Sequence, residues 1–228
     1  MVEVEIEICK KELRTRFGSK SVVLPILLAM GIPILVFIPQ LLEVMNQAEP
    51  GSEYLSLMFF LVIPVMITTL VGIHTFINEI RWKTIKSILA APISEGEIFI
   101  GKSMACIIVG LLVEAFLSVI VLIFVDDVAV SILLLIFLIG PLSVIFTTFI
   151  FILGTLRFPA IAENGGAVLM PMGGLLIIFL VSIFLKEFLG TNPMLHGMLL
   201  SLIITIFTGG AYYISKKWFN RERLVLAV

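Results

Sequence analysis

The stretch INEIRWKTIKSILAAPISEGEIFIGK, residues 77–102, decides how this chain is read. Long apolar runs lie on both sides of it, yet it carries four cationic side chains, a Trp, a Pro and three Glu. Of the 228 residues, 60% are hydrophobic and 14% are charged. Soluble domains average about 45–50% apolar and about 25% charged residues. A water-facing globule cannot hide that apolar excess. The chain therefore reads as an all-α polytopic membrane protein, a single transmembrane domain over residues 1–228, with the charged stretch outside the bilayer.

Working outward from that stretch, six runs are long enough to cross a hydrocarbon core of about 30 Å as helices of roughly 20 residues. They fall at about 21–42, 54–77, 103–125, 128–153, 167–185 and 197–215. Prolines 25, 33, 39, 64, 141 and 171 lie within them, which in lipid predicts kinks re-satisfied by neighbouring helices. Every one of the 15 Lys and Arg except Lys186 then falls on one side of the membrane. The positive-inside rule places that side, with both termini, in the cytoplasm of a cell bounded by this membrane. Tyr212, Tyr213 and Trp218 fall where interfacial anchors belong.

Before the first span, Val2, Ile6, Cys9, Leu13 and Phe17 share one stripe at 100° per residue. Residues 1–19 thus read as an amphipathic helix lying along the membrane surface. The alternation VEVEIEI could also be a strand, but it has no strand to pair with. The opening residues lack the basic start of a cleavable signal, so the first span is expected to stay in the mature protein.

The charged stretch divides in two. From Asn78 to Leu89, Ile80, Trp82, Ile85, Ile88 and Leu89 form an apolar arc that Arg81 interrupts. Glu79, Lys83 and Lys86 form the polar face, with Glu79 and Lys83 spaced i,i+4. Pro92 ends this helix. Ser94-Glu95-Gly96-Glu97 then has the spacing of a capping box that opens the third span. A bare connector needs a few residues, as the outer Asp126-Asp127 turn shows. So long a charged projection suits a docking helix for a cytoplasmic protein, although an interfacial connector without a partner has the same pattern.

The order Glu79, Thr84, Leu89, Pro92-Ile93-Ser94, Glu97, Gly101-Lys102 resembles the permease subunits of the ABC-2 family of ATP-binding cassette exporters. The chain length, the N-terminal helix, the six spans and the inside termini are similar to that family as well. Lys83 stands where the family usually has Gly, and Lys86 where it usually has an acid. The resemblance implies that 78–91 is a coupling helix seated in a groove of an ATPase subunit. Glu79, Arg81, Trp82, Lys83, Ile85, Lys86 and Leu89 would dock it, and Pro92, Ser94 and Glu97 would form the transmission turn. It further implies a second permease subunit, identical or not, with the transport path between the two. ATP and Mg would sit on the partner, since this chain lacks Gly-x-x-x-x-Gly-Lys-Ser/Thr and binds no cofactor of its own.

Glu114 is the one acid in the middle of a span, where an ionisable group is costly. It could line the transport path, or hydrogen-bond a neighbour such as Thr147 or Thr148. His74 and His196 lie at opposite depths and cannot together hold a haem, so ordinary hydrogen bonds are expected of them. Cys9 and Cys106 fit neither a metal cluster nor a disulfide framework. A basic nucleic-acid stripe is missing, and so are the motifs of intramembrane enzymes. A non-transporting membrane scaffold or accessory subunit shares the topology, could even bind an ATPase, and is the main alternative. A secondary carrier would show internal repeats, and residues 1–125 and 126–228 show none.

Overall fold

The computed structural model describes residues 2–17, 31, 61–81, 93–124, 130–163, 166–189 and 192–219. Helix α1 is Val2–Phe17, and α2, Val62–Gly72, runs through a widened π turn, Ile73–Ile77, into the short α3, Asn78–Arg81. Helix α4 is Glu95–Phe124, the longest of the set at 30 residues. Next come α5, Val130–Leu134, a second π turn, Leu135–Ile139, and α6, Gly140–Arg157. The short α7, Pro159–Glu163, and a 3-10 turn, Gly166–Val168, lead to α8, Leu169–Leu189, and α9, Pro193–Trp218. The described residues contain no strand, and VEVEIEI is helical, as the all-α reading expects.

Among the described residues, four helical stretches are long and apolar enough to cross a membrane: Glu95–Ile123, Ile132–Arg157, Gly166–Leu189 and Met194–Trp218. They overlap the third to sixth expected spans and overrun most of their ends. The α4 helix starts eight residues before its apolar run because the cap, not hydropathy, sets where a helix begins. The second expected span is described as the shorter apolar helix Val62–Ile77, and the first lies outside the described residues apart from Gly31.

Helix α6 is the centre of the bundle, in contact with α2, α4, α8 and α9. Its neighbours approach closely where side chains are small. A Cβ on Gly110 of α4 would collide with Thr68 of α2 and lie 2.6 Å from Val144 Cγ1 of α6. That glycine is a crossing point of three helices, as expected where packing rather than water drives association. The outward faces are apolar and exposed, with Leu112 and Ile123 on α4, Leu176, Phe184 and Phe188 on α8, and Ile206 on α9. In water such faces would be a liability, whereas lipid covers them.

Buried hydroxyls in this apolar interior bond back to their own helix. Thr68, Thr69, Thr75, Ser103, Ser143, Thr148 and Thr155 each donate to the carbonyl four residues earlier, at 2.6–2.8 Å. Pro141 accounts for the second π turn. Its ring cannot donate to the preceding turn and would clash with the carbonyl four residues back. Widening the helix at Leu135–Ile139 relieves that clash, and Ser143 Oγ donates to Ile139 O at 2.6 Å beside it.

At one end of the bundle, Phe99 of α4 sits at the centre of an aromatic cluster. Its ring centroid is 5.5 Å from Phe219, 6.1 Å from Tyr212 and 6.3 Å from Phe149. Phe76 extends the cluster to the π turn after α2, 6.5 Å from Phe219. The first turns of α4 are thereby fixed to α6, α9 and the end of α2. Replacing Phe99 with Ala should cost about 3–5 kcal/mol, read as a lowered unfolding midpoint of the purified protein. A surface change such as Phe188→Ala should cost far less.

Candidate functional site

The turn into α4 forms as its spacing predicts. The Glu97 amide donates to Ser94 Oγ at 3.2 Å, and Glu97 Oε2 accepts from the Ser94 amide at 3.0 Å and from its hydroxyl at 2.7 Å. Both orphan donors at the helix start are satisfied reciprocally. The Ser94 hydroxyl and amide hold the Glu97 carboxyl below the usual carboxylate range at the helix mouth. Two turns further on stands the residue that sequence reasoning left off the candidate site, Lys102.

Lys102 is buried, 3% exposed, and its Nζ lies 2.7 Å from Glu12 Oε1 of α1 and 2.7 Å from Glu79 Oε1 of α3. It also reaches the Thr75 carbonyl, 3.5 Å away in the first π turn. One ammonium thus ties the N-terminal helix, the entry to the charged stretch and the base of α4. Removing one member of such a buried set leaves uncompensated charge and typically costs 3–5 kcal/mol. Glu79, expected on the polar face of the charged stretch, has its carboxylate on Lys102, because a buried ammonium demands a carboxylate.

The same two-residue step admits α1. A Cβ on Gly101 would lie 2.7 Å from Ile8 Cβ and 2.9 Å from the Glu5 carbonyl. Only a residue without a side chain lets α1 lie that close to α4. Cys9 is buried in the contact, and burial, then the charge of Glu12, pushes its thiol above the ordinary range. On the helical wheel, Glu5, Ile8, Cys9 and Glu12 make the docking face. Ile6, on the amphipathic stripe read from the sequence, is exposed beside that face, while the charged side carries Glu7 and Lys10, paired at 3.0 Å.

Glu114 is buried, 5% exposed, and its partner is a correction to the sequence reading. Ser118 Oγ lies 3.1 Å from its Oε1, whereas Thr147 and Thr148 donate to carbonyls of their own helix. A threonine on a neighbouring helix was expected, yet the residue one turn along the same helix is nearer and pre-aligned. Arg157 stacks its guanidinium on Trp218, 4.4 Å from the ring centroid, and so links α6 to α9. His196 Nε2 donates to the Ser182 carbonyl at 3.0 Å, and His74 Nδ1 lies 3.0 Å from Asn78 Nδ2. Both histidines make the ordinary bonds expected of them.

Trp82, Lys83, Ile85, Lys86, Leu89 and Pro92 lie outside the described residues, as does the side chain of Arg81. Of the expected site, the structure therefore brings together Glu79, Ser94 and Glu97 with Phe99, Gly101 and Lys102 at the base of α4. No described protein family matches the chain, and no curated protein or solved structure is similar enough to count as a relative.

Substituting Lys102 with Met should release α1. Alkylation of Cys9 by a membrane-permeant maleimide should then run at least about tenfold faster, since about 1.4 kcal/mol of lost restraint is enough for that. Peptide mapping would separate it from Cys106, which is buried in the bundle and should stay protected. Glu12→Gln should have a smaller effect, because the amide oxygen still accepts from the ammonium.

Proposed function

We propose that this chain is the membrane-spanning permease subunit of an ABC-2-type ATP-binding cassette exporter, with six spans and both termini in the cytoplasm. On this reading residues 78–91 dock into a separate ATPase subunit, and a second permease subunit completes the transport path. ATP with Mg binds the ATPase and moves the docked helix, and the spans rock to open an outward route.

The observation that carries this reading is the joining of both ends of the charged stretch to the bundle. At its start, Glu79 is held by Lys102. At its end, the Ser94–Glu97 box leads without a break into α4. Roughly the first two turns of α4 hold Phe99 and Lys102, which fix it to α1, α6, α9 and the end of α2. A push delivered between residues 80 and 93 would reach all of these helices together, as a transmission element requires. A stretch that only bridged two spans would need no such anchoring. The cation asymmetry of the sequence supports a cytoplasmic position for the stretch, within reach of such a motor.

Co-expression with a cytoplasmic ATP-binding cassette ATPase and isolation of the complex tests the reading. Ile85→Asp and Leu89→Asp should abolish co-isolation, and unchanged recovery would mean that the helix docks nothing. Ser94→Ala with Glu97→Gln should leave the complex intact. It should lower cargo-stimulated ATP hydrolysis in vesicles about fivefold, the effect of losing about 1 kcal/mol of cap. A complex whose hydrolysis responds to no cargo would instead favour a non-transporting scaffold.

A further inference from the structure

The groups around Glu114 define a second site, separate from the base of α4. Ser118 has one hydroxyl hydrogen, and its shorter bond, 2.8 Å, goes to the Glu114 backbone carbonyl, which can only accept. With that hydrogen on the backbone carbonyl, a protonated carboxyl can donate across the 3.1 Å contact between Glu114 Oε1 and Ser118 Oγ. On its other side the carboxyl lies over Gly140, where the π turn rejoins α6. A Cβ built there would collide with Glu114 Oε1 and lie 3.2 Å from the Leu135 carbonyl oxygen. Carboxyl and carbonyl oxygens thus flank the same methyl-sized space, an arrangement that is repulsive for a carboxylate and suits a carboxylic acid.

Among the described residues no positive charge offsets it: Lys102 is committed to Glu12 and Glu79, and no ion pair involves Glu114. Among the described residues, the polar groups placed beside it are the Ser118 hydroxyl, its own backbone carbonyl and, across Gly140, the Leu135 carbonyl. One carboxyl and one hydroxyl are also too few oxygens for a calcium or magnesium ion, which takes six or more. An isolated carboxylate in an apolar interior is far costlier than a neutral acid that donates a hydrogen bond.

We propose that Glu114 is a proton-binding site inside the bundle, a neutral carboxylic acid that donates to Ser118 and bridges α4 to the π turn at Leu135–Ile139. The ligand is a proton, taken up when the chain enters the membrane, and Gly140 is the residue that leaves room for the protonated group. This site does not depend on the ATPase reading and stands or falls separately from it.

Infrared spectroscopy of the full chain in lipid vesicles at neutral pH tests this. The wild type should show a carboxylic acid C=O band that moves to lower frequency when the protein is made with ¹³C-carboxyl glutamate. Glu114→Gln should lose the band, and Ser118→Ala should move it to higher frequency as the hydrogen bond is lost. The isotope assigns the band to glutamate, and its shift in Ser118→Ala assigns it to Glu114 even where Glu114→Gln does not fold. Absence of the band in the wild type overturns the proposal, as does its persistence in Glu114→Gln. A band unmoved in Ser118→Ala shows that the hydrogen is not shared with that hydroxyl, and likewise overturns it.

Discussion

An ammonium group taken out of water must meet negative charge, and Lys102 meets it on two other helices. Glu12 comes from α1 and Glu79 from the end of the helix that begins at Val62. Separating the three would strand charge in a medium that solvates it poorly, so the elements that bear them move together. The ion set therefore fixes more than its own geometry. It determines which face of α1 turns to the bundle, where the charged stretch leaves it, and how the first turns of α4 are oriented. Gly101 permits the arrangement by letting the Glu5 carbonyl come within 2.9 Å of where its side chain would be.

The rest of the bundle handles polar atoms in the opposite way, by keeping them on their own helix. Back-bonded Ser and Thr hydroxyls satisfy themselves locally and leave the crossings to apolar side chains and glycines. Helix-to-helix polar bonds are correspondingly few among the described residues. Ser215 donates to the Phe149 carbonyl at 3.1 Å and His196 to that of Ser182, and both join helices that already pack together. Two π turns interrupt the pattern, one beside Lys102 and one beside Glu114. Widened turns leave backbone carbonyls turned toward neighbours, and in this chain each lies against a charged or ionisable group, an association common at functional positions.

Rigidity is concentrated at one end. The ion set, the capping box and the Phe99 cluster all lie within about two turns at the start of α4. The outward faces of α4, α8 and α9 instead present apolar side chains along their length, from Leu169 to Phe188 on α8 and from Met194 to Ile214 on α9. A motion applied at the braced end would pass along α4 as a lever, whereas the outer faces are free to slide against lipid. The anchoring of both ends of the charged stretch at this braced end is the physical ground of the permease proposal.

The apolar runs, the all-helical class and the Ser94–Glu97 cap were legible in the sequence because each depends on residues close together along the chain. Helical period, span length and cap spacing need no knowledge of neighbours. Lys102 was legible only as a cation at the base of a span, and Glu79 only as one member of a polar face. Their meeting with Glu12, which is 90 residues from Lys102, depends on how α1 crosses α4. The same holds for Ile8 against Gly101, for Arg157 on Trp218 and for the carboxyl of Glu114 against Gly140. Hydropathy says that a side chain leaves water but not which helix it then faces. That choice belongs to the crossing angles and close approaches of the packed bundle, so the tertiary structure alone decided which charges became partners.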